Sequence, residues 1–400
     1  MLLSRRRSVT APTRPPLYNS PLLREGTGPA APMRIAIVTE FYYPHLGGIC
    51  EHVHYFAREA RRLGHHVDIV TSNIEGARSD PNVIRIGRSQ SIYFNGAQAR
   101  VTLGLGLGRE MRRIFERGCY DIVHVHSPLN PTLPLLAIDN ADCPVVGTFH
   151  TYFDNSNLFA MARRPLQKRL DRMAAAIAVS PSTTRSLERY FEADWKIIPN
   201  GIDLDVFDPC APPPRGIRAD IPSILFLGRF DPRNGLTTLI DAFRRVRSGG
   251  REVQLVVVGD GPLRGHYHRA AGGHKDIVFA GAVLDGRAGY YAHAAMYACP
   301  TTKASFGITL LESMACETPV VCSDIPGFRD VVKHEREALM FPRGDVSALA
   351  DSIVRLLEND GLRTRLGKTG REVAAAYSWQ RVTATVLEVY ASVLGAPVTH

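Results

Sequence analysis

TTKASFGITLLESMACETPVV, residues 301–321, decides how this chain folds. It reads as a loop, a helix starting near Phe306, and a short buried strand ending in Val320-Val321. In a layered α/β sheet this order puts a helix N-terminus, with its unpaired backbone N–H groups, beyond the carboxyl end of a strand, where such sheets bind ligands. Glu312 lies inside the helix beside Leu310, Leu311 and Met314. Those neighbours favour burial, and a buried carboxylate requires partners.

The same alternation extends in both directions. From Met33 onward, RIAIVTE, HVDIVTSN, DIVHVHS, PVVGTFH and AAIAVS are each followed by a longer helical or polar segment, the pattern of parallel βαβ layering. It breaks at DPCAPPPRGIRADIP, residues 208–222, where three consecutive prolines forbid helix and sheet. It resumes with SILFLGRF, QLVVVGDG, IVFAGAV, MYACPT and PVVCSD. Four hundred residues exceed what one core usually supports. The expected architecture is therefore α/β, with two open, doubly wound domains facing a cleft: 33–212, 213–377, and a strap helix and tail at 378–400 that opens at Ser378 and crosses the junction.

Composition excludes several classes. No apolar run approaches the roughly 18 residues that span a bilayer, and MLLSRRRSV lacks the apolar core of a secretory signal, so a cytoplasmic protein is expected. The seven scattered cysteines fit reduced, mostly buried thiols better than disulfides or a metal site. The net charge is +9, but residues 1–32 carry five arginines and one glutamate, leaving +5 for the body. Those 32 residues are Pro-, Arg- and Ser-rich without periodicity. They read as a disordered tail that stems from an upstream start, and a nucleic-acid arm is the weaker alternative.

Candidate chemistry clusters at strand ends. Gly47-Gly48 after the first strand lets the backbone approach a ligand ahead of a helix N-terminus suited to a diphosphate; a plain tight turn is the alternative. G-x-G-x-x-G is absent, which argues against a nicotinamide site. Arg229 and Arg233 follow the SILFLGRF strand, where guanidinium groups suit a diphosphate gaining charge, or form a surface ion pair. Glu312 can accept two hydrogen bonds from a ribose diol. Asp203 and Asp205 look like turn residues rather than metal ligands, and His124 and His126 like packed imidazoles.

Taken together, LGG, HVHSPLNP, GTFHTYF, IPNGIDLDVF, GRFDPRNG, VVVGDGP, VFAGAV and SFGITLLESMACETPVV resemble the retaining, nucleotide-sugar-dependent glycosyltransferases of family 4, which have the GT-B fold. Within that family, IYFNGAQARVTLGLGLGREMRRIFERGCYDIVHVHSPLNP is most similar to the bacterial phosphatidylinositol mannosyltransferases. The resemblance implies transfer of a hexose, mannose from GDP-mannose first, to a lipid-linked, polyol or glycan acceptor such as phosphatidylinositol, with no metal or other cofactor and no nucleic acid. It implies that His150 and Arg229 act in catalysis and that Gly47, Gly48, Arg233, Val283, Phe306, Gly307, Ile308 and Glu312 hold the donor. Tyr93, Asn95, Arg109, Arg112 and Arg113 are expected toward the acceptor or an anionic membrane surface at the inner face of the plasma membrane. A second basic stretch, Arg163, Arg164, Lys168, Arg169 and Arg172, joins that surface. Two departures stand out: the family's lysine in the Arg229 loop is Asn234, and the first of its paired glutamates is Ala304. They keep open a non-catalytic nucleotide-sugar-binding or partner-binding member, and the fold alone leaves open an epimerase.

Overall fold

The computed structural model describes residues 31–395 apart from 46, 95, 96, 215 and 284, and of 92–94 and 97–99 only the backbone. The expected tail at 1–32 therefore falls almost wholly outside the described residues. The first half contains β1 (Arg34–Val38), β2 (His66–Ser72), β3 (Val83–Ile86), β4 (Arg88–Phe94), β5 (Ala97–Leu103), β6 (Ile122–His126), β7 (Val145–Phe149), β8 (Ala175–Ala178) and β9 (Trp195–Ile197). Seven of these form a parallel sheet in the order β3-β2-β1-β6-β7-β8-β9, while β4 and β5 pair antiparallel as a separate hairpin. The second half contains β10 (Ser223–Leu227), β11 (Gln254–Val258), β12 (Ile277–Gly281), β13 (Met296–Cys299), β14 (Val320–Ser323) and β15 (Ala338–Phe341). They form a parallel sheet in the order β12-β11-β10-β13-β14-β15.

In both sheets the order reverses beside the first strand, β1 or β10, which creates the crevice where doubly wound sheets bind ligands. All ten apolar runs named from the sequence are strands. Five strands are added: the seven-residue β4 and β5 of the hairpin, and the short β3, β9 and β15; β3 and β9 are sheet-edge strands whose side chains are mostly half-buried, so neither shows a fully apolar run.

The helix Trp379–Leu394 crosses back to the first domain. Its Trp379, Val382, Val386 and Tyr390 pack in one core with Ile35, Ile37, Phe56 and Ile122. The crossover is fixed at its start, where the Ile202 N–H bonds the Tyr377 carbonyl and the Trp379 N–H bonds the Ile202 carbonyl. Direct hydrogen bonds also join the domains. Ser180 Oγ donates to the Ser305 carbonyl at 2.6 Å, and the Ser182 N–H donates to Asp330 at 2.8 Å.

Candidate active site

The glycine loop and the 301–321 stretch meet across the domain junction. Gly47 caps the helix Gly48–Arg62, and Gly307 caps the helix Ile308–Ala315, which starts two residues later than the sequence indicates because Gly307 takes a left-handed conformation (φ 107°). A side chain there would be strained and would press on the Phe328 ring. A Cβ at Gly48 would lie 4.0 Å from the Ile308 side chain. Two helix N-termini, one from each domain, thus converge on one spot, which is suited to an anion.

This spot opens into a cleft of about 380 Å³ lined by Gly48, His150, Arg233, Asn234, Ala304, Gly307 and Ile308, among others. Phe306 lends only its backbone, since its ring is buried beside Tyr377. Arg233 is drawn toward Asp231 at 3.2 Å, and Arg229 lies 3.7 Å from the same carboxylate. The residues lining the cleft include Arg233 but not Arg229. Burial, with the Arg100 and Arg229 charges, pushes the His45 imidazole down to about 4. Asn234 donates to the Arg229 carbonyl at 2.7 Å, so it shapes the loop where the family has a lysine. Val283 follows β12 and packs half-buried on the second domain's core. Ala304 leaves its side of the cleft without a carboxylate, and Gly327 packs so tightly on its carbonyl that a Cβ there would clash.

His150 follows β7 and is buried at the cleft wall, with Nε2 2.9 Å from His126 Nδ1. Burial, reinforced by His52 and His124, holds it well below the ordinary imidazole range. It is neutral at pH 7 and is equipped to exchange a hydrogen bond with a hydroxyl. His124 and His126 are buried as packed imidazoles, and His124 is tied to Thr148 and to Tyr390 of the strap helix.

Glu312 has the partners its burial demands, and they were not legible in the sequence. Its Oε1 lies 3.1 Å from Arg287 Nη2, and its Oε2 accepts from the Tyr291 hydroxyl at 2.8 Å. The same Arg287 nitrogen reaches Glu51 of the opposite domain at 2.8 Å, and Glu51 accepts from the Tyr43 hydroxyl at 2.8 Å. Both Glu312 oxygens are therefore engaged, and a ribose diol would have to use the remaining lone pairs. Burial raises the Glu312 carboxyl despite the Arg287 charge. Two acids inside apolar helices, Glu51 and Glu312, were the available signal for a shared cation. Beyond this ion-pair cluster a larger cavity of about 1050 Å³ is lined by Tyr42, Tyr43, Tyr55, Phe207 and Arg287. None of the expected donor residues lines it, and it lacks the paired helix ends, so the smaller cleft is the candidate site.

On the first domain, Glu40 is buried after β1. It accepts from Thr102 Oγ1 at 2.6 Å and the Leu133 N–H at 2.8 Å, tying the β4–β5 hairpin to the helix Leu133–Asn140. Tyr93 lies in β4 opposite Gln98, and Asn95 falls outside the described residues. The helix Leu107–Gly118 buries Leu107, Met111 and Phe115 and exposes Arg109, Arg112, Arg113 and Arg117, with Leu103 and Leu105 exposed just ahead of it. The second basic stretch is partly paired: Arg163 meets Glu192, and Arg169 and Arg172 share Asp139. Asp203 caps its own turn and pairs with Arg58 at 2.7 Å, a structural role. No disulfide forms among the described residues, and four of the seven thiols are buried.

Two facing doubly wound domains with a cleft at their junction are the architecture of sugar-transferring enzymes of the GT-B type. Residues 46–206 match the family described as Glycosyltransferase Family 4, and residues 221–359 match Glycosyl transferases group 1. The chain belongs to glycosyltransferase family 4. It is 34% identical to a phosphatidyl-myo-inositol mannosyltransferase of Mycobacterium leprae, over 90% of this chain and 97% of the relative. It is 29% identical to a D-inositol 3-phosphate glycosyltransferase of Xylanimonas cellulosilytica, over 94% and 95% respectively. Among solved structures, a glycosyltransferase from Rickettsia africae superposes with a TM-score of 0.74 at 19% identity, covering 91% of this chain and 99% of that one.

Proposed function

We propose that the protein transfers mannose from GDP-mannose to the inositol head group of a phosphatidylinositol-type lipid at a membrane surface, with retention of configuration and no protein nucleophile. The observation that carries this reading is the meeting of the Gly48 and Ile308 helix ends across the domains, in a cleft that Arg233 lines. In the step envisaged, the acceptor hydroxyl oxygen bonds to the anomeric carbon as the bond to the diphosphate oxygen breaks. That departing oxygen takes the hydroxyl proton on the same face of the sugar. Arg229 and the two helix ends offset the growing negative charge, which is where fixed charges and dipoles lower a barrier most. Neutral His150 bonds a donor hydroxyl, the Val283 backbone frames the base, and Glu312, held by Arg287 and Tyr291, receives the ribose. No step requires a metal.

The membrane part of the reading is supported by the helix Leu107–Gly118, which pairs an exposed basic face with exposed Leu103 and Leu105. No helix among the described residues is long and apolar enough to cross a membrane. The names of the relatives support an inositol-type acceptor. Ala304 supports a donor preference relaxed from that of its relatives. A glutamate bonding the sugar hydroxyls would contribute roughly 1.5–3 kcal/mol, and this chain forgoes it.

The test is transfer by the wild type and Ala304→Glu from GDP-mannose, UDP-glucose and UDP-N-acetylglucosamine to phosphatidylinositol and to D-inositol 3-phosphate. GDP-mannose with phosphatidylinositol is expected to be productive, and the substitution to sharpen the donor ranking. Transfer only to the soluble acceptor would overturn the lipid assignment. An unchanged ranking would show that position 304 does not read the sugar.

A further inference from the structure

His52, His126 and His150 come from three separate elements: the second turn of the helix Gly48–Arg62, the end of β6, and the residue after β7. Their ring centroids lie 4.9–5.2 Å apart, and one ligand nitrogen from each falls within 4.8 Å of the other two. The transfer step described above uses only His150. His52 and His126 are 2% and 0% exposed, yet the Nε2 of each has no hydrogen-bond partner. An unmet buried polar atom costs about 1–3 kcal/mol, and the His52 Nε2 is the one that an ion held by this cluster would satisfy. The His52 tautomer is fixed. Asn200 Oδ1, an acceptor, lies 2.8 Å from Nδ1, so Nδ1 carries the proton and Nε2 presents a bare lone pair to the cluster. An outer carbonyl that holds one imidazole nitrogen as a donor is how proteins orient metal-binding histidines.

We propose that His52, His126 and His150 form a transition-metal site, taking Zn²⁺ or a similar imidazole-preferring divalent ion, and that filling it withdraws His150 from the donor cleft and stops transfer. All three rings are neutral near pH 7, as ligands must be, because burial depresses each of them, His52 to about 4. The ion replaces the hydrogen bond between His126 and His150. Each ring keeps one proton on a nitrogen turned away from the ion, so one of the two changes tautomer and no proton is released. Tetrahedral Zn–N bonds of about 2.0–2.1 Å set ligand nitrogens roughly 3.4 Å apart, so the His126 and His150 nitrogens, 2.9 Å apart, spread slightly while the His52 ring draws in. A fourth position is left for water on the side of the cleft that His150 lines. Imidazole ligands without thiolates suit Zn²⁺, Co²⁺, Ni²⁺ and Cu²⁺ over Mg²⁺ or Ca²⁺.

The experiment titrates Co²⁺ into the full-length protein and follows its visible absorption, which reports binding whether or not the transfer reading is right. A one-to-one band displaced by Zn²⁺ is expected, together with transfer that Zn²⁺ inhibits and EDTA restores. His52→Leu should keep basal activity, lose the band and raise the Zn²⁺ needed for half-inhibition at least tenfold. Should that variant fold poorly, Asn200→Ala keeps all three rings and frees only the His52 tautomer; the expected loss in metal affinity is about 10–100-fold. The proposal is overturned if wild type gives no band, or if a folded variant of either kind binds Co²⁺ and responds to Zn²⁺ as wild type does.

Discussion

Replacing Arg287 with methionine removes the cation that Glu51 and Glu312 share across the domain junction. The three side chains are 16%, 10% and 4% exposed, so little solvent screens them. Taking one partner from a buried ion pair typically costs about 3–5 kcal/mol, because the remaining charge is left uncompensated. Glu312 retains only the Tyr291 hydroxyl, and Glu51 only that of Tyr43. A loss near 4 kcal/mol is therefore expected for Arg287→Met at pH 7.5, measured by urea unfolding with Trp195 and Trp379 as fluorescent reporters. The loss should depend on pH. Burial already raises the Glu312 carboxyl, and without Arg287 it rises further. A folded-state pKa above the unfolded value favours folding below the unfolded pKa and loses that contribution as pH climbs through the folded pKa. The gap between variant and wild type should thus be larger at pH 8 than at pH 5.5. Adding Glu51→Gln should recover part of the loss, since one of the stranded charges is gone. A deficit under 1 kcal/mol, or one that grows on acidification, would refute the assignment of Arg287 as the shared counter-ion.

Three further outcomes follow from the site and its surroundings. Arg229→Ala should keep the fold and reduce transfer about 10²–10³-fold; wild-type turnover would place the diphosphate elsewhere. His52 and His124 are held neutral with values of about 4 and 3, below the unfolded 6.5, so their contribution is full above pH 6.5 and fades as pH falls toward those values. At pH 5 each should have lost about 2 kcal/mol, and stability that stays flat from pH 7.5 to 5 would contradict their burial as neutral rings. Arg112→Glu with Arg113→Glu should weaken sedimentation with anionic vesicles, each basic residue near such a surface being worth about 1 kcal/mol in a salt-sensitive manner. Equal binding to neutral and anionic vesicles would remove this face as the docking surface.

The fold was legible because both sheets are parallel and buried, so their strands are continuous β-branched runs that announce themselves without partners. The strands that escaped notice, such as β3 with VIRI and β9 with WKI, sit at sheet edges, where half-exposed side chains break the run. The glycines of the site were legible for a related reason. Gly307 answers to the backbone through a left-handed turn, which leaves a mark at a single position, while at Gly48 a Cβ would make only ordinary contact with Ile308. Charge pairing leaves no local mark. Arg287 and Glu51 are 236 residues apart, and only the closure of one domain on the other brings them together. The ion pairs of the basic stretch from Arg163 to Arg172 were hidden for the same reason, because the partners Asp139 and Glu192 lie on other elements.

That difference bears on the chemistry. Glu312 cannot be understood as a free carboxylate awaiting a ribose. It is one end of a cluster whose other end, Glu51, belongs to the helix that starts at Gly48. A ligand that contacts Glu312 and the Gly48 N-terminus together touches both ends of that cluster, so donor binding and domain closure draw on the same interactions. In the proposed transfer such coupling would exclude water while the anomeric carbon is exposed, which a transferase needs in order not to hydrolyse its donor. It also sets a limit on Ala304. In the proposed transfer, a side chain missing from the rim of the cleft would change which hydroxyls are read, but it leaves the Glu51–Arg287–Glu312 cluster and the facing helix ends untouched, and so leaves intact the groups on which that proposal rests.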